Sequence, residues 1–163
     1  MIKNKLFLIC PFSNLENFIR RIYFTDVYFL TAMATDFNFE PEYIGKISEF
    51  IDRRMITEMY VVNDISCRFI NGIIKEEWHR RTETEKKLER LFMDNHPLIM
   101  RQPSMSEKVE KLAELNVKKQ ISNISENACI KTKIKKGRIC IKGMITNRSE
   151  NKFIVLQNIQ NEF

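Results

Sequence analysis

Short, uniformly apolar runs alternate along the first half of the chain with stretches whose apolar positions recur at helical spacing. The run at 5–10 is apolar on both alternate sets of positions, as a strand buried on both faces would be. Pro11 stops it. Ser13 to Glu16 reads as a capping box, after which Leu15, Phe18, Ile19 and Ile22 fall on one helical face. Asp26 precedes a second apolar run at 27–30. Pro41 opens a helix running to about Arg54, with Tyr43, Ile44, Ile47, Phe50 and Ile51 as its inner stripe. Proline suits a first turn because the amide it lacks has no intrahelical partner there. A third strand, at 58–62, follows after a few residues. Strand, helix and strand joined this tightly predict a parallel βαβ unit with a right-handed crossover.

Beyond Cys67, the positions Ile70, Ile73, Ile74 and Trp78 keep helical spacing, with Ser66 as the N-cap. The segment 75–90 is dense in both charges and reads as exposed helix, with an attractive i,i+4 pair (Glu83, Lys87) and a repulsive one (Lys86, Arg90). Pro97 and Pro103 bracket a linker. Ser104 and Glu107 form a second capping box, opening a long helix to about Ile124 that buries Val109, Leu112, Leu115, Val117, Ile121 and Ile124. The strands 138–146 and 153–157 close the chain around a polar turn at 147–151. No internal repeat stands out. The predicted fold class is a three-layer α/β domain spanning 1–163. Its sheet is mainly parallel, with flanking helices and an antiparallel edge hairpin.

Composition narrows the function classes. A chain of 163 residues, 44% of them hydrophobic, can bury a proper core, and the interspersed charges argue against disorder. The net charge of +6 is moderate and fits a solvated basic surface. The apolar stretch at 6–10 is too short for a secretory signal, and no stretch approaches the ~20 apolar residues of a membrane span, so a cytoplasmic protein with no membrane partner is expected. Lys131, Lys133, Lys135, Lys136, Arg138 and Lys142 form a basic cluster without aromatic residues. A single-strand binder would want a stacking platform there. The cluster therefore reads as a lysine-protected edge strand rather than a nucleic-acid site.

Candidate chemistry gathers at 57–69. In open α/β sheets, ligands sit beyond the carboxyl ends of the strands. Cys10 falls there after the first strand and Cys67 after the third, with Asp64 three residues before it. Two thiolates and a carboxylate would leave an open position on tetrahedral zinc, although a buried cysteine is more often a small apolar filler. Cys67 also opens a helix, where the dipole lowers a thiol pKa, so a reactive thiol is a second reading. The four cysteines show no C-x-x-C spacing and are expected to be reduced. His79 and His96 fall in helix and linker contexts, away from these residues.

The order and spacing of these segments resemble a shortened β-class carbonic anhydrase. That family's C-x-D-x-R is matched in place by Cys10-Pro-Phe-Ser-Asn14, and its G-D-x-F strand by Thr25-Asp-Val-Tyr-Phe29. Its G-H-x-x-C-G aligns with Asn63-Asp-Ile-Ser-Cys-Arg68. The later N-V-x-x-Q and G-x-x-x-D resemble Asn116-Val-Lys-Lys-Gln120 and Lys142-Gly-Met-Ile-Thr146. The resemblance implies zinc held through two cysteines and a histidine, a metal-bound hydroxide that attacks carbon dioxide, and a homodimer. Cys10 and Cys67 stand at the cysteine positions, and Asp64 stands at the histidine position.

Around that implied site the chain departs from the pattern. Phe12 replaces the carboxylate that orients the hydroxide, and Asn14 replaces its arginine partner. Arg68 replaces a glycine, and Thr31-Ala-Met-Ala-Thr35 stands for R-N-A-G-N. A carboxylate beside two thiolates would also make the zinc site net negative and raise the pKa of bound water. The expected function is thus a carbonic-anhydrase-like binding or regulatory module with little or no CO2 hydration. In it Arg68 either pairs with Asp64 or, with Ser66 at the helix N-terminus, holds a small anion such as bicarbonate. The alternative is a zinc lyase using Cys10, Asp64 and Cys67, and a further alternative is a basic nucleic-acid-binding domain built on the lysine cluster at 131–142.

Overall fold

The computed structural model describes residues 3–24, 26–37, 39–77 and 82–156. Its sheet contains four parallel strands: β1 (Asn4–Ile9), β2 (Val27–Thr31), β3 (Ile56–Asp64) and β4 (Cys140–Asn147). An antiparallel fifth, β5 (Lys152–Leu156), completes the order β2-β1-β3-β4-β5. The apolar run at 5–10 is uniform because β1 lies inside the sheet and is covered on both faces. This is the mainly parallel α/β sheet with an antiparallel edge hairpin that the sequence predicts. Gln157, placed at the end of the last predicted strand, lies outside the described residues, as do Trp78 and His79.

Strand alternation sorts the core into two. Leu6, Leu8, Met59, Val61, Ile141 and Ile145 point to one face. They pack there against α2 (Pro41–Arg53), α3 (Arg68–Lys75), α4 (Glu83–Asp94), α5 (His96–Met100), α6 (Met105–Glu126) and α7 (Ala128–Lys135). Phe7, Ile9, Tyr60, Val62 and Met144 point to the other, where α1 (Glu16–Ile22) covers them through Phe18 and Ile19, with Leu15 just before it. Five aromatic and aliphatic strand residues thus rest on one short helix.

Several local expectations are corrected. The segment 75–90 is not one helix: α3 ends at Lys75 with Glu76 in the left-handed region (φ 57°), and α4 starts afresh behind a Thr82–Glu85 capping box. The expected linker contains α5. Pro97 sits in its first turn, the one place a helix tolerates proline, and Ile99 is buried. The basic cluster is not an edge strand. Lys131, Lys133 and Lys135 lie on α7, Lys142 lies on the interior strand β4, and two of these cations are engaged: Lys133 by Asp52 at 2.5 Å and Lys142 by Glu58 at 3.0 Å. Ser13 caps nothing: it lies in a one-turn 3-10 helix (Pro11–Ser13), and Leu15 is the N-cap of α1.

On the face covered by α1, Glu58 lies between two lysines. Lys5 reaches it from β1 and Lys142 from β4, and the Tyr60 hydroxyl donates to it at 3.1 Å. Burial pushes the Glu58 pKa up, but the two ammonium groups outweigh it and hold the carboxyl at about 2 against an ordinary 4.5. The folded state therefore gains from this group fully above about 4.5 and loses that gain as pH falls from there toward about 2. Glu58→Gln is expected to lower the unfolding free energy by about 1–3 kcal/mol at neutral pH, less than a fully buried pair because Lys142 is a third exposed. It should also flatten the acid limb of stability, read from urea denaturation at a series of pH values.

Candidate functional site

Cys10 follows β1 and Cys67 opens α3. Because β1 and β3 are neighbours, both arrive at one end of the sheet, 1% and 2% exposed respectively. The two thiols adjoin and shift each other's ionisation in opposite directions. The Cys67 thiol holds the Cys10 sulfur toward its anion; burial opposes, and the backbone N–H groups of Ala34 and Phe12 assist. The Cys10 pKa falls from 9.0 to about 6 as a result. Cys67 moves the other way, raised first by its bond to Cys10 and then by burial, against the N–H groups of Ile70 and Phe69. The helix dipole at the start of α3 favours Cys67 as the reactive thiol. Cys10 holds the lowered pKa instead, because Cys67 is the donor of the pair.

Asp64 is not with them. It is the last residue of β3, and Asn63, not Asp64, shares the sheet face of Met59 and Val61. Asp64 falls on the opposite face with Tyr60 and Val62, 1% exposed. One carboxylate oxygen accepts from the Ser66 N–H (2.9 Å) and the Ser66 hydroxyl (2.5 Å). The other accepts from the Thr146 hydroxyl (2.6 Å) and the Arg148 N–H (3.0 Å). Asp64 thus clamps the end of β3 to the end of β4 and the turn beyond it. Ser66 serves this clamp and is not the N-cap of α3, a position held by Cys67 without a side-chain cap.

Arg68 makes no ion pair with Asp64. Its guanidinium lies 4.2 Å from the ring centre of Phe12 and 5.0 Å from that of Phe69, and the two rings meet edge to face at 5.7 Å. This stack joins the two loops that carry the thiols. Phe12, half exposed, has no acceptor to offer there, and Asn14 adopts a left-handed conformation (φ 49°) at the end of the 3-10 turn. His96 packs edge to face on Phe92 in the helical layer.

A polar brace that the sequence reading did not assign lies under Cys10. Ala34 and Thr35 both have positive φ (48° and 59°), a conformation unfavourable for side chains with a Cβ. They are held by Asn116 of α6, which donates to the Ala34 carbonyl at 2.8 Å and to Asn63 Oδ1 at 2.8 Å, while Asn63 donates to Thr35 Oγ1 at 3.1 Å. The signal was legible: Asn116 interrupts the apolar stripe of a long helix, and a buried amide requires partners. Asn116→Leu is expected to cost about 1–3 kcal/mol, since it strips Asn63 Oδ1 of its donor and leaves the Ala34 carbonyl with the Thr35 hydroxyl alone. Thermal melts beside those of an exposed control such as Lys119→Ala would read the difference.

The sequence matches no family model and no curated protein. Solved structures do match. A tetrameric β-carbonic anhydrase from the filamentous ascomycete Sordaria macrospora superposes with a TM-score of 0.80 at 15% identity, over 97% of this chain and 82% of that one. The β-carbonic anhydrase CafA of Aspergillus fumigatus gives 0.76 at 18%, over 95% and 76%. The Coccomyxa β-carbonic anhydrase in complex with acetazolamide gives 0.75 at 13%, over 99% and 77%. The chain has the β-carbonic anhydrase fold.

On that fold the residues present do not fit the zinc site that the resemblance implies. A β-carbonic-anhydrase-like centre needs a third protein ligand beside the two cysteines, and strand alternation carries Asp64 to the other face, where four donors saturate its carboxylate. Among the described residues, no three His, Cys, Asp or Glu side chains are gathered as a metal ion would require.

Proposed function

We propose that this chain is a divergent β-carbonic-anhydrase-like protein in which the scaffold serves binding or regulation and the zinc chemistry of CO2 hydration has been lost. The observation that supports this reading is the Asp64 clamp. The residue at the implied histidine position braces β3 to β4, and the two remaining thiols satisfy each other. Phe12 and Asn14, at the positions of the family's catalytic pair, supply neither a carboxylate nor a guanidinium. Arg68, exposed at its edge, is the cation left at the mouth, and a small anion such as bicarbonate is the ligand class it suits.

The deciding measurement is metal content per chain, on protein expressed with zinc available and purified without chelator. Well under a tenth of an equivalent of zinc is expected, with no CO2 hydration above the buffer rate in stopped flow. One zinc per chain that survives dialysis would overturn the reading and restore Cys10, Asp64 and Cys67 as a lyase centre.

A homodimer belongs to the same proposal. β5 is an edge strand and exposes Phe153 (41%) and Ile154 (56%), and an unpaired apolar edge favours a second strand. Light scattering should give twice the chain mass, and Ile154→Lys should return it to one. Among the described residues no helix is long and apolar enough to cross a membrane, and the proposed location is the cytoplasm.

A further inference from the structure

Strand alternation sends the Cys10 side chain to the face of Leu6 and Leu8, and Cys67 packs into the same apolar cluster. The register pairs Leu8 with Val61, so Cys10 stands level with the end of β3. There the turn closed by the Cys67 N–H on the Asp64 carbonyl (2.9 Å) brings the chain back to it. Phe12 and Phe69, each two residues beyond its cysteine, meet at 5.7 Å. Both backbones are pinned as well. The Cys10 carbonyl accepts from the Ser13 N–H at 3.1 Å, and Asn71 donates to the carbonyls of Ile65 (2.7 Å) and Cys67 (3.0 Å). The other two cysteines lie elsewhere: Cys129 is exposed on α7, and Cys140 opens β4 beside Glu58, at the amino end of the sheet.

Two thiols held together without a third ligand have a reaction open to them that a lone buried cysteine lacks, closure to a disulfide. Cys10 leads, because its sulfur is held toward the anion, and Cys67 keeps its proton until Cys10 has reacted. Both are almost wholly buried, which selects a small uncharged oxidant. Hydrogen peroxide is little larger than water. Phe12 is half exposed on the Cys10 turn, and exposed side chains change rotamer within nanoseconds.

We propose that Cys10 and Cys67 form a hydroperoxide-sensitive dithiol, which admits the oxidant past Phe12 and closes to a Cys10–Cys67 disulfide. The Cys10 sulfur attacks one peroxide oxygen, the O–O bond breaks, and the hydroxide released takes a proton and leaves as water. The Cys67 sulfur then attacks Cys10: the S–S bond forms, the S–O bond breaks, and the sulfenic oxygen departs with the Cys67 proton as a second water. The two sulfurs give up two electrons in all, and a dithiol reductant returns them. The proposal rests on the reading that no zinc occupies the pair, since a metal-bound thiolate has its electron pair engaged.

The test uses Cys129→Ser, Cys140→Ser protein whose metal content is measured first. It is treated with a small excess of hydrogen peroxide, quenched with catalase and alkylated in denaturant. Metal-free protein is expected to lose both free thiols together, to give a cross-linked Cys10–Cys67 peptide by mass spectrometry, and to recover both thiols with dithiothreitol. Cys67→Ser in that background should stop at a Cys10 sulfenic acid that dimedone traps on unfolding, and Cys10→Ser should leave Cys67 unoxidised. Phe12→Ala should speed the loss of thiols several-fold. Three results on metal-free protein would overturn the proposal alone: both thiols kept while Cys129 of the unaltered chain is oxidised, Cys10 sulfinic acid without a cross-link, or a rate that Phe12→Ala leaves unchanged. One zinc per chain would overturn it together with the reading above. The cross-link is read on a chain with Cys10, Cys67 and Phe12 intact, so a poorly folded variant would not rescue it.

Discussion

Asp64→Ala is expected to lower the unfolding free energy by about 3–5 kcal/mol, the largest loss from any single polar substitution in this chain. Removing the carboxylate strands the Thr146 hydroxyl, which is wholly buried, and the Arg148 and Ser66 N–H groups, all of which now point at it. It also releases the end of β3 from the turn after β4. Asp64→Asn should cost less, because one side keeps an acceptor oxygen while the amide N–H2 faces donors on the other. Urea denaturation with and without zinc separates this brace from a metal ligand. A brace predicts the same loss in both conditions, and no zinc-dependent rise in midpoint for the unaltered protein. A rise with zinc that Asp64→Ala abolishes would make Asp64 a ligand after all.

The same residue shows how far the sequence could be read. The apolar runs located β1, β2 and the middle of β3, and their short connections fixed a parallel sheet. Ending the third strand at Val62 released Asp64 into a loop, where it could turn toward Cys67. In the structure β3 continues to Asp64, and period-two alternation decides the matter: Asn63 takes the thiol face and Asp64 the other. Two residues of strand length changed a metal ligand into a brace. α5 and α7 escaped notice for another reason. Each is short, and packing against α6 and α2 stabilises it more than any sequence periodicity does. Asn116 was visible as part of a motif, but its partners, Ala34 and Asn63, come from segments far away in sequence.

The thiol pair gives the second large effect. In a Cys129→Ser, Cys140→Ser background, which removes the exposed and half-exposed thiols, thiolate absorbance should show one group titrating at about 6 and none other until well above the ordinary thiol range. The two values belong to the pair, which shares one proton between two sulfurs. Cys67→Ala removes the strongest influence lowering Cys10 while burial persists. The remaining titration should move up by about two units or more, an approximately ten-fold or larger drop in thiolate at pH 7. A stability profile follows from the same proton count. Between about 6 and 9.0 the folded pair holds one proton where the unfolded chain holds two, so stability rises with pH. Above 9.0 the unfolded chain has released both while the folded pair keeps one, and stability falls again. A maximum near 9.0 that Cys67→Ala erases would tie the profile to this bond. A Cys10 titration unchanged by Cys67→Ala would instead assign the lowered pKa to the Ala34 and Phe12 N–H groups, and the loop held by Asn116 would then be what keeps the thiolate in place.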